Sequence, residues 1–297
     1  MKPSVIQAEC GPNRSAGSDR LSDTLDELID MIRQRVPGPT PHDLYHHRIR
    51  PRRAQLRVHR RHGSPVPDPW ELHVISPTDI SGVLSPPFFR DDGFRTVVDV
   101  REGDWDRPAP DRYLEYSRRK PPGEDESFDE RRTVPLTTEQ YGFYRSIWAY
   151  LRGRKPWEQT PTGRYLAWDR SERVAREKRR DIDRLVASIE RTGYHHPGRV
   201  VSSPSPTVEH PHYDAVVVNI DRAGNYILED GKHRLCVAKA MEVPRFPVRV
   251  RSRHLEWHST RAAVAGARKS SDLDEPQRDQ LDHPDIRSLV AFESAVG

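Results

Sequence analysis

Residues 226–241, YILEDGKHRLCVAKAM, combine residue types that bind phosphate in other proteins. An apolar run ends in two acids and Gly231, and Lys232, His233 and Arg234 follow where a helical pattern begins. Glycine permits a positive φ and lets a ligand approach the backbone closely. The first N–H groups of a helix lack partners within the helix and carry partial positive charge, so they attract anions. The stretch therefore predicts a phosphate-binding turn.

The side chains of this turn have residue types suited to binding and proton transfer. Lys232, His233 and Arg234 add charged hydrogen-bond donors to those of the backbone. Asp230 is placed to bind Mg²⁺ beside the phosphate or to accept a proton from an attacking hydroxyl. We therefore predict catalytic roles for Asp230 and His233. The alternative interpretation is a surface turn whose charges only face water.

A second basic feature lies upstream, in residues 46–62, HHRIRPRRAQLRVHRRH. Such a run can neutralise nucleic-acid phosphates and release their counterions. The alternative is a solvated basic linker, since no aromatic stacking residue is interleaved with the arginines. The arginines that would contact nucleic acid are Arg48, Arg50, Arg52, Arg53, Arg57, Arg60 and Arg61.

Two further groups of polar residues have weaker patterns. His195, His196, His210 and His212 lie between the predicted elements, but no cysteine or acid shares a known metal-ligand spacing with them. They are better interpreted as loop histidines near a phosphate pocket. The sequence Gly-Asp-Trp-Asp at 103–106 is interpreted as a turn whose tryptophan packs on the core, although a contribution of its carboxylates to a pocket stays open.

The composition favours a packed domain diluted by polar connections. Of 297 residues, 34% are hydrophobic and 32% charged, and 27 are proline. Net charge is only +4, so local clusters matter more than the total. Two cysteines cannot form a disulfide framework, and neither a signal peptide nor a membrane-length apolar run is present. We expect a cytoplasmic protein with no membrane partner; the sequence does not indicate its oligomeric state.

Periodicity places the basic turn between a hairpin and a helix. We predict a helix over 172–193 with Gly193 as its C-cap, and a hairpin whose turn contains Gly224. Further predicted elements are a helix over 21–36, short strands in WELHVI and FRTVVDV, a helix preceded by a Thr137–Gln140 capping pair, and strands in AVVVNI, YILE and FPVRVR.

This order of elements resembles the ParB/sulfiredoxin-like superfamily over about residues 180–252. The matching positions are Ser188, Ile189, Gly193, Pro197, the turn 230–234, Ala238, Lys239, Ala240 and Pro247. The wider chain is similar to a set of uncharacterised prokaryotic ParB-like proteins. These carry a G-D-W-D motif, a W-E-x-T segment and an R-H-x-E-W segment, here residues 103–106, 157–160 and 253–257.

The resemblance implies an α+β fold: a ParB/sulfiredoxin-like domain with a small mixed sheet, preceded by a mostly helical accessory region. It implies ATP or CTP as the ligand of Gly231, Lys232, His233 and Arg234, with His195 and His196 facing the nucleotide. Sulfiredoxin activity is not expected, because Lys232 stands where that activity needs a cysteine. Centromere binding is not expected either, because no helix-turn-helix pattern follows.

Two classes of function follow from these patterns. One is a nucleotide-binding protein, in enzymatic form a small-molecule kinase or nucleotide hydrolase; the other is a DNA-associated ParB-like module or nuclease. A non-catalytic domain that only keeps the fold stays open. The expected segments are a disordered 1–20, an amphipathic helix and basic linker in 21–64, an accessory region in 65–170, the ParB/sulfiredoxin-like domain in 171–262, and a polar tail with a short helix in 263–297.

Overall fold

A computed structural model describes residues 49–85, 98–108, 132–137, 139–194 and 215–290. The strands are β1 (Leu72–Ile75), β2 (Ile80–Ser85), β3 (Asp99–Arg101), β4 (Arg132–Pro135), β5 (Val216–Ile220), β6 (Tyr226–Asp230) and β7 (Phe246–His254). The helices are α1 (Arg50–His62), α2 (Gly142–Leu151), α3 (Pro161–Asp169), α4 (Glu172–Thr192), α5 (Lys232–Ala240), α6 (Leu255–Gly266), α7 (Glu275–Arg278) and α8 (Pro284–Arg287). The predicted helix over 21–36 lies outside the described residues.

The strands form one seven-stranded mixed sheet, so the expected α+β class is confirmed at that level. Its order is β1-β7-β5-β6-β2-β4, and β3 pairs in parallel with the last residues of β7. β5 and β6 form the predicted antiparallel hairpin, while β7 runs parallel to β5 and β2 runs parallel to β6. The sheet thus places the end of β6 and the start of β5 beside the basic turn.

The central strands are buried along their whole length. Every residue of β5 and nearly every residue of β6 and β7 is buried. Continuous Val and Ile runs of this kind are typical of strands covered on both faces. Gly224 closes the hairpin with φ 92°, and Asp221 accepts backbone hydrogen bonds from Ala223 and Asn225, which fixes the turn.

The predicted helix over 172–193 is confirmed as α4. Ile182 and Ile189 are buried, and Leu185 and Val186 pack against the same core. Gly193 ends the helix with φ 73°, and its N–H donates to the carbonyl of Ile189 at 2.8 Å. A Cβ at this glycine would meet no described atom within 4 Å, so the positive φ is what favours glycine here.

The upstream region differs from the expectation of a mostly helical accessory region. Residues 65–170 supply four of the seven strands, β1 to β4: β1 and β3 pair with β7, β2 pairs with β6, and β4 pairs with β2. Short strands such as Arg132–Pro135 carry little periodicity of their own and are stabilised by their partners.

Helix α2 begins at Gly142, later than the Thr137–Gln140 pair indicated. Thr137 Oγ1 accepts from the N–H of Gln140 at 3.2 Å, which forms a separate turn before the helix.

The basic segment also differs from the predicted linker, since residues 50–62 form α1. Among the described residues, no helix combines the length and apolar character needed to cross a membrane.

Candidate functional site

The Asp-Gly turn ends β6 and opens α5 in a conformation that favours glycine. Gly231 is the N-cap of α5 with φ 89° and ψ 26°, in the left-handed region. A Cβ at this position would lie 2.7 Å from Cγ2 of Val216 and 3.2 Å from its Cα. The backbone therefore passes so close to β5 that no side chain fits without movement.

Helix α5 begins with backbone donors that none of the described side chains caps. It runs for nine residues from Lys232, and its N-cap residue, Gly231, has no side chain to accept a hydrogen bond from the first turn. The N–H groups of this turn lie at the positive end of the helix dipole. An incoming anion is therefore offered both unpartnered donors and a favourable local potential.

A cluster of cationic side chains surrounds this helix start. Lys232 is exposed, and His233 and Arg234 are half-buried. Lys178 of α4 lies close enough for its charge to lower the pKa of both Lys232 and His233, although desolvation is the larger cause for each. Among the described residues, neither Lys232 nor Arg234 forms an ion pair. Lys232 and Arg234 therefore carry positive charge without a described ion-pair partner, whereas Lys178 lies 4.0 Å from Asp181.

His233 is held as a neutral imidazole. Desolvation, followed by the charges of Lys178, Lys232 and Arg234, lowers its pKa to about 3. Its ring meets the Phe143 ring edge-on at 4.7 Å, so apolar contact from α2 supplies part of the burial. An imidazole with so low a pKa stays uncharged at physiological pH and is a weak proton acceptor.

The two acids before Gly231 have different environments. Glu229 is buried and forms an ion pair with Arg251, so its charge is neutralised within the sheet. Asp230 is half-buried, and its side chain makes no hydrogen bond or ion pair among the residues described. Asp230 is therefore the carboxylate that remains to meet a cation or a proton.

Cys236 does not take part in this chemistry. It is completely buried, and burial raises the pKa of its thiol far above the ordinary value. It packs in the main hydrophobic core with Leu235 and Val237. A buried neutral thiol is inert, so Cys236 supplies no nucleophile to the turn.

The other predicted site residues are separated from the turn or lie outside the described chain. His195, His196 and Arg48 fall outside the described residues, and the side chain of Arg50 does too. The remaining arginines lie on α1, where Ala54 and Val58 form the buried side. The exposed arginines of α1 are Arg52, Arg53, Arg57, Arg60 and Arg61.

The Gly-Asp-Trp-Asp motif binds the β5–β6 hairpin instead of opening a pocket. Asp106 accepts from Nε and Nη2 of Arg222 at 2.8 Å each and from its backbone N–H at 3.1 Å. Asp104 accepts from the same guanidinium at 3.0 Å. Trp105 is buried against Leu84 and Ile227, as the packing interpretation predicts. Both carboxylates therefore hold the hairpin turn.

The sequence analysis missed a buried ionic network centred on Asp285. Its carboxylate accepts two hydrogen bonds from Nε of Arg253, at 2.9 and 3.0 Å, and a further one from Nη2. Nε1 of Trp257 donates at 2.9 Å, and Nε of Arg261 lies 3.1 Å away. The side chain of Asp285 is 0% exposed. Although desolvation acts to raise its pKa, the two guanidiniums hold the pKa below its ordinary value.

The remote segment 283–286 provides this aspartate. His283 caps α8 and its Nε2 lies 3.0 Å from the carbonyl oxygen of Gly224. The His283 ring stacks on Tyr226 at 5.2 Å and meets Trp257 edge-on at 4.6 Å. In the sequence, the R-H-x-E-W segment was the one pattern that pointed to this network, because it contains both Arg253 and Trp257.

Comparison with known proteins adds no further assignment. No protein-family model, no curated protein and no solved structure matches the chain. The candidate site therefore stands on its own geometry.

Proposed function

We propose that the start of α5 binds the phosphates of a nucleotide, ATP or CTP. The carrying observation is the first turn of α5 after Gly231, which no described side chain caps, beside Lys232 and Arg234, which have no ion-pair partner in the described residues. Backbone amides, a helix dipole and mobile cations together make a phosphate site. The nature of the base follows only from the resemblance to ParB/sulfiredoxin-like proteins, which also suggests His195 and His196 as further contacts.

Each residue of the turn has a distinct role in this proposal. Lys232 and Arg234 bind phosphate oxygens, and Gly231 lets them approach the backbone. Asp230 suits Mg²⁺, because that ion is commonly held by one or two carboxylates together with substrate phosphates. In the enzymatic form, Asp230 instead accepts the proton of a small substrate's hydroxyl group as the hydroxyl oxygen attacks the terminal phosphorus, and the nucleoside diphosphate leaves.

A thermal-shift panel of ATP and CTP, with and without Mg²⁺, tests this proposal. A ligand at one hundred times its Kd stabilises the folded state by about 2.7 kcal/mol. Arg234→Ala should weaken binding by roughly 10- to 100-fold, because a hydrogen bond to a charged group contributes about 1.5–3 kcal/mol. Arg164→Ala, which removes an exposed arginine of α3, is the matched control and should leave binding unchanged. A folded protein whose melting temperature responds to none of the nucleotides contradicts the proposal.

A second candidate function rests on α1. Its apolar side is buried while five arginines face solvent, and only Arg61 has an ion-pair partner among the described residues, Glu102 at 3.6 Å. A helix that presents such a row of cations suits the phosphate backbone of nucleic acid. We propose non-specific DNA binding as its function.

The salt dependence of DNA binding distinguishes this candidate. Arg57→Gln with Arg60→Gln should reduce the slope of log K against log salt by about 1.8, since each phosphate contact contributes about 0.9 for B-DNA. The control, Arg173→Gln with Arg176→Gln, removes the same charge from the exposed side of α4. Equal slopes in both variants exclude α1 as the DNA-binding element.

A further inference from the structure

Three aromatic side chains of α2 lie along α5 with cations beside their rings. They belong to Phe143, Tyr144 and Trp148 and are here called the aromatic row. Nζ of Lys232 lies 6.0 Å from the centroid of the Phe143 ring, and Nζ of Lys239 lies 6.0 Å from that of Tyr144. Both contacts have the geometry of a cation–π pair. The two helices therefore hold rings and charges side by side.

The aromatic row begins at the basic turn and leads away from it. Its first ring, that of Phe143, meets the ring of His233 edge-on at 4.7 Å. The next two rings, of Tyr144 and Trp148, meet at 6.1 Å. At the far end, Cζ of Arg152 lies 5.8 Å from the centroid of the Trp148 ring. The row thus continues the proposed phosphate site along α2.

The rings of the row are only partly covered by the fold. Phe143 and Tyr144 pack against the main hydrophobic core and remain half-buried. Trp148 is 38% exposed. Aromatic side chains bury a large apolar area when a partner covers them. The row therefore offers ring surface to a flat ligand beside the basic turn.

The two lysines beside the row are too far apart to serve a single phosphate. They are seven residues apart on α5, which is about 10 Å along the helix axis. A phosphate at the first turn of α5 meets Lys232 and lies out of reach of Lys239. Neither lysine forms an ion pair within the part of the chain that the structure describes. Lys239 therefore suits a second phosphate of a longer ligand.

We propose that the aromatic row and its lysines bind single-stranded nucleic acid. One phosphate of the strand lies at the basic turn and a later one is bound by Lys239, while bases stack on the exposed parts of Tyr144 and Trp148. This placement rests on the proposed phosphate binding at the start of α5. Aromatic rings beside cations that bind the backbone are typical of proteins that hold single strands without reading their sequence. A free mononucleotide would leave Lys239 and Trp148 unused, and the bases of a duplex are already stacked on one another.

Isothermal titration calorimetry of the full chain tests the proposal with thymidine 5′-monophosphate and with 5′-phosphorylated di- and tetranucleotides of thymidine. Each additional stacked base should tighten binding by roughly 5- to 150-fold. Trp148→Ala should remove most of this gain and leave the affinity for the monophosphate unchanged, because the tryptophan lies beyond the turn. Trp148→Phe keeps a ring and should retain part of the gain. Lys239→Gln should reduce the slope of log K against log salt for the tetranucleotide by about 0.7, the share of one phosphate of a single strand.

Matched variants show where the strand lies. Trp168→Ala removes a tryptophan of α3 that is 81% exposed, and it should leave every affinity unchanged. Arg57→Gln with Arg60→Gln tests α1 in the same way and should not weaken binding of the tetranucleotide. Loss of tetranucleotide binding in either of these controls, with Trp148→Ala unaffected, places the strand on another surface and overturns the proposal.

The same titrations separate this inference from the proposed function. If the monophosphate binds and Arg234→Ala weakens it, but chain length and Trp148 have no effect, the strand-binding proposal is wrong and phosphate binding at the turn stands. If neither the monophosphate nor the tetranucleotide binds, both proposals fail.

Discussion

Asp285→Asn should lower the free energy of unfolding by about 3–5 kcal/mol, the cost of breaking a buried ion pair by removing one partner. The substitution keeps the size of the side chain but leaves Arg253 and Arg261 buried without a counter-charge. It also turns an amide nitrogen toward donors of the network. Urea denaturation of the full chain measures the change.

The neighbouring Asp282 provides a matched control, because it is exposed in the same segment. Asp282→Asn should change the free energy of unfolding by less than about 0.5 kcal/mol. Replacing the pair with apolar residues, as in Arg253→Met/Asp285→Leu, should recover part of the loss. A cost below about 1 kcal/mol for Asp285→Asn would contradict the central role of this ion pair.

The stability difference between the wild type and Asp285→Asn should also depend on pH in a defined direction. The pKa of Asp285 is lowered in the folded state, because Arg253 and Arg261 outweigh the desolvation that acts to raise it. A lowered pKa gives stability that is present above the unfolded-state pKa and is lost as the pH falls. The stability difference between the wild type and Asp285→Asn should therefore begin to shrink below about pH 4, the unfolded-state value of aspartate, and disappear only once the pH falls below the lowered folded-state pKa.

Gly231→Ala should destabilise the protein by about 2–5 kcal/mol, the sum of left-handed strain and overpacking. The added methyl would enter a φ of 89° and lie 2.7 Å from Val216 Cγ2. Relief of that contact requires movement of the turn away from β5, which also displaces the first amides of α5. Anion binding at the turn should therefore weaken together with stability, as urea denaturation and the nucleotide thermal shift can measure in one preparation.

Two other glycines separate the causes of this effect. Gly193 has φ 73° and ψ 176°, a backbone region nearly restricted to glycine, and no described atom lies within 4 Å of an added Cβ, so Gly193→Ala reports a conformational cost without overpacking, about 1–3 kcal/mol. Gly266 ends α6 with neither a positive φ nor a described neighbour within 4 Å, so Gly266→Ala should be neutral or slightly stabilising. A loss for Gly231→Ala no larger than the left-handed cost alone, about 1–2 kcal/mol, would show that the contact with Val216 contributes nothing.

Local patterns were sufficient to predict the elements around the basic turn. The valine run of β5, the turn glycine at 224 and the spacing of Ile182 and Ile189 each determine structure over a few residues, and the structure confirms all three. The left-handed backbone of Gly231 is equally local, because a tight turn between a strand and a helix favours a glycine with positive φ. These features depend on backbone geometry and periodicity, which the sequence shows directly.

Features that depend on distant partners could not be predicted in this way. Lys178 joins the cation cluster only because α4 packs beside α5, and its segment has the pattern of a solvated helix face. Asp285 meets Arg253 across 32 residues and His73 across a far longer stretch of chain. The basic run folds as a helix on which Ala54 and Val58 are buried. The spacing of the arginines gives no sign of that burial.

The docking of α8 also bears on how the protein is made. Arg253 and Arg261 are synthesised before Asp285, so the nascent chain holds two guanidiniums destined for the interior and no anion yet to neutralise them. Until translation passes that aspartate, the emerging sheet cannot close over them without a large electrostatic cost. Completion of the interior should therefore wait until the segment that carries Asp285 has left the ribosome.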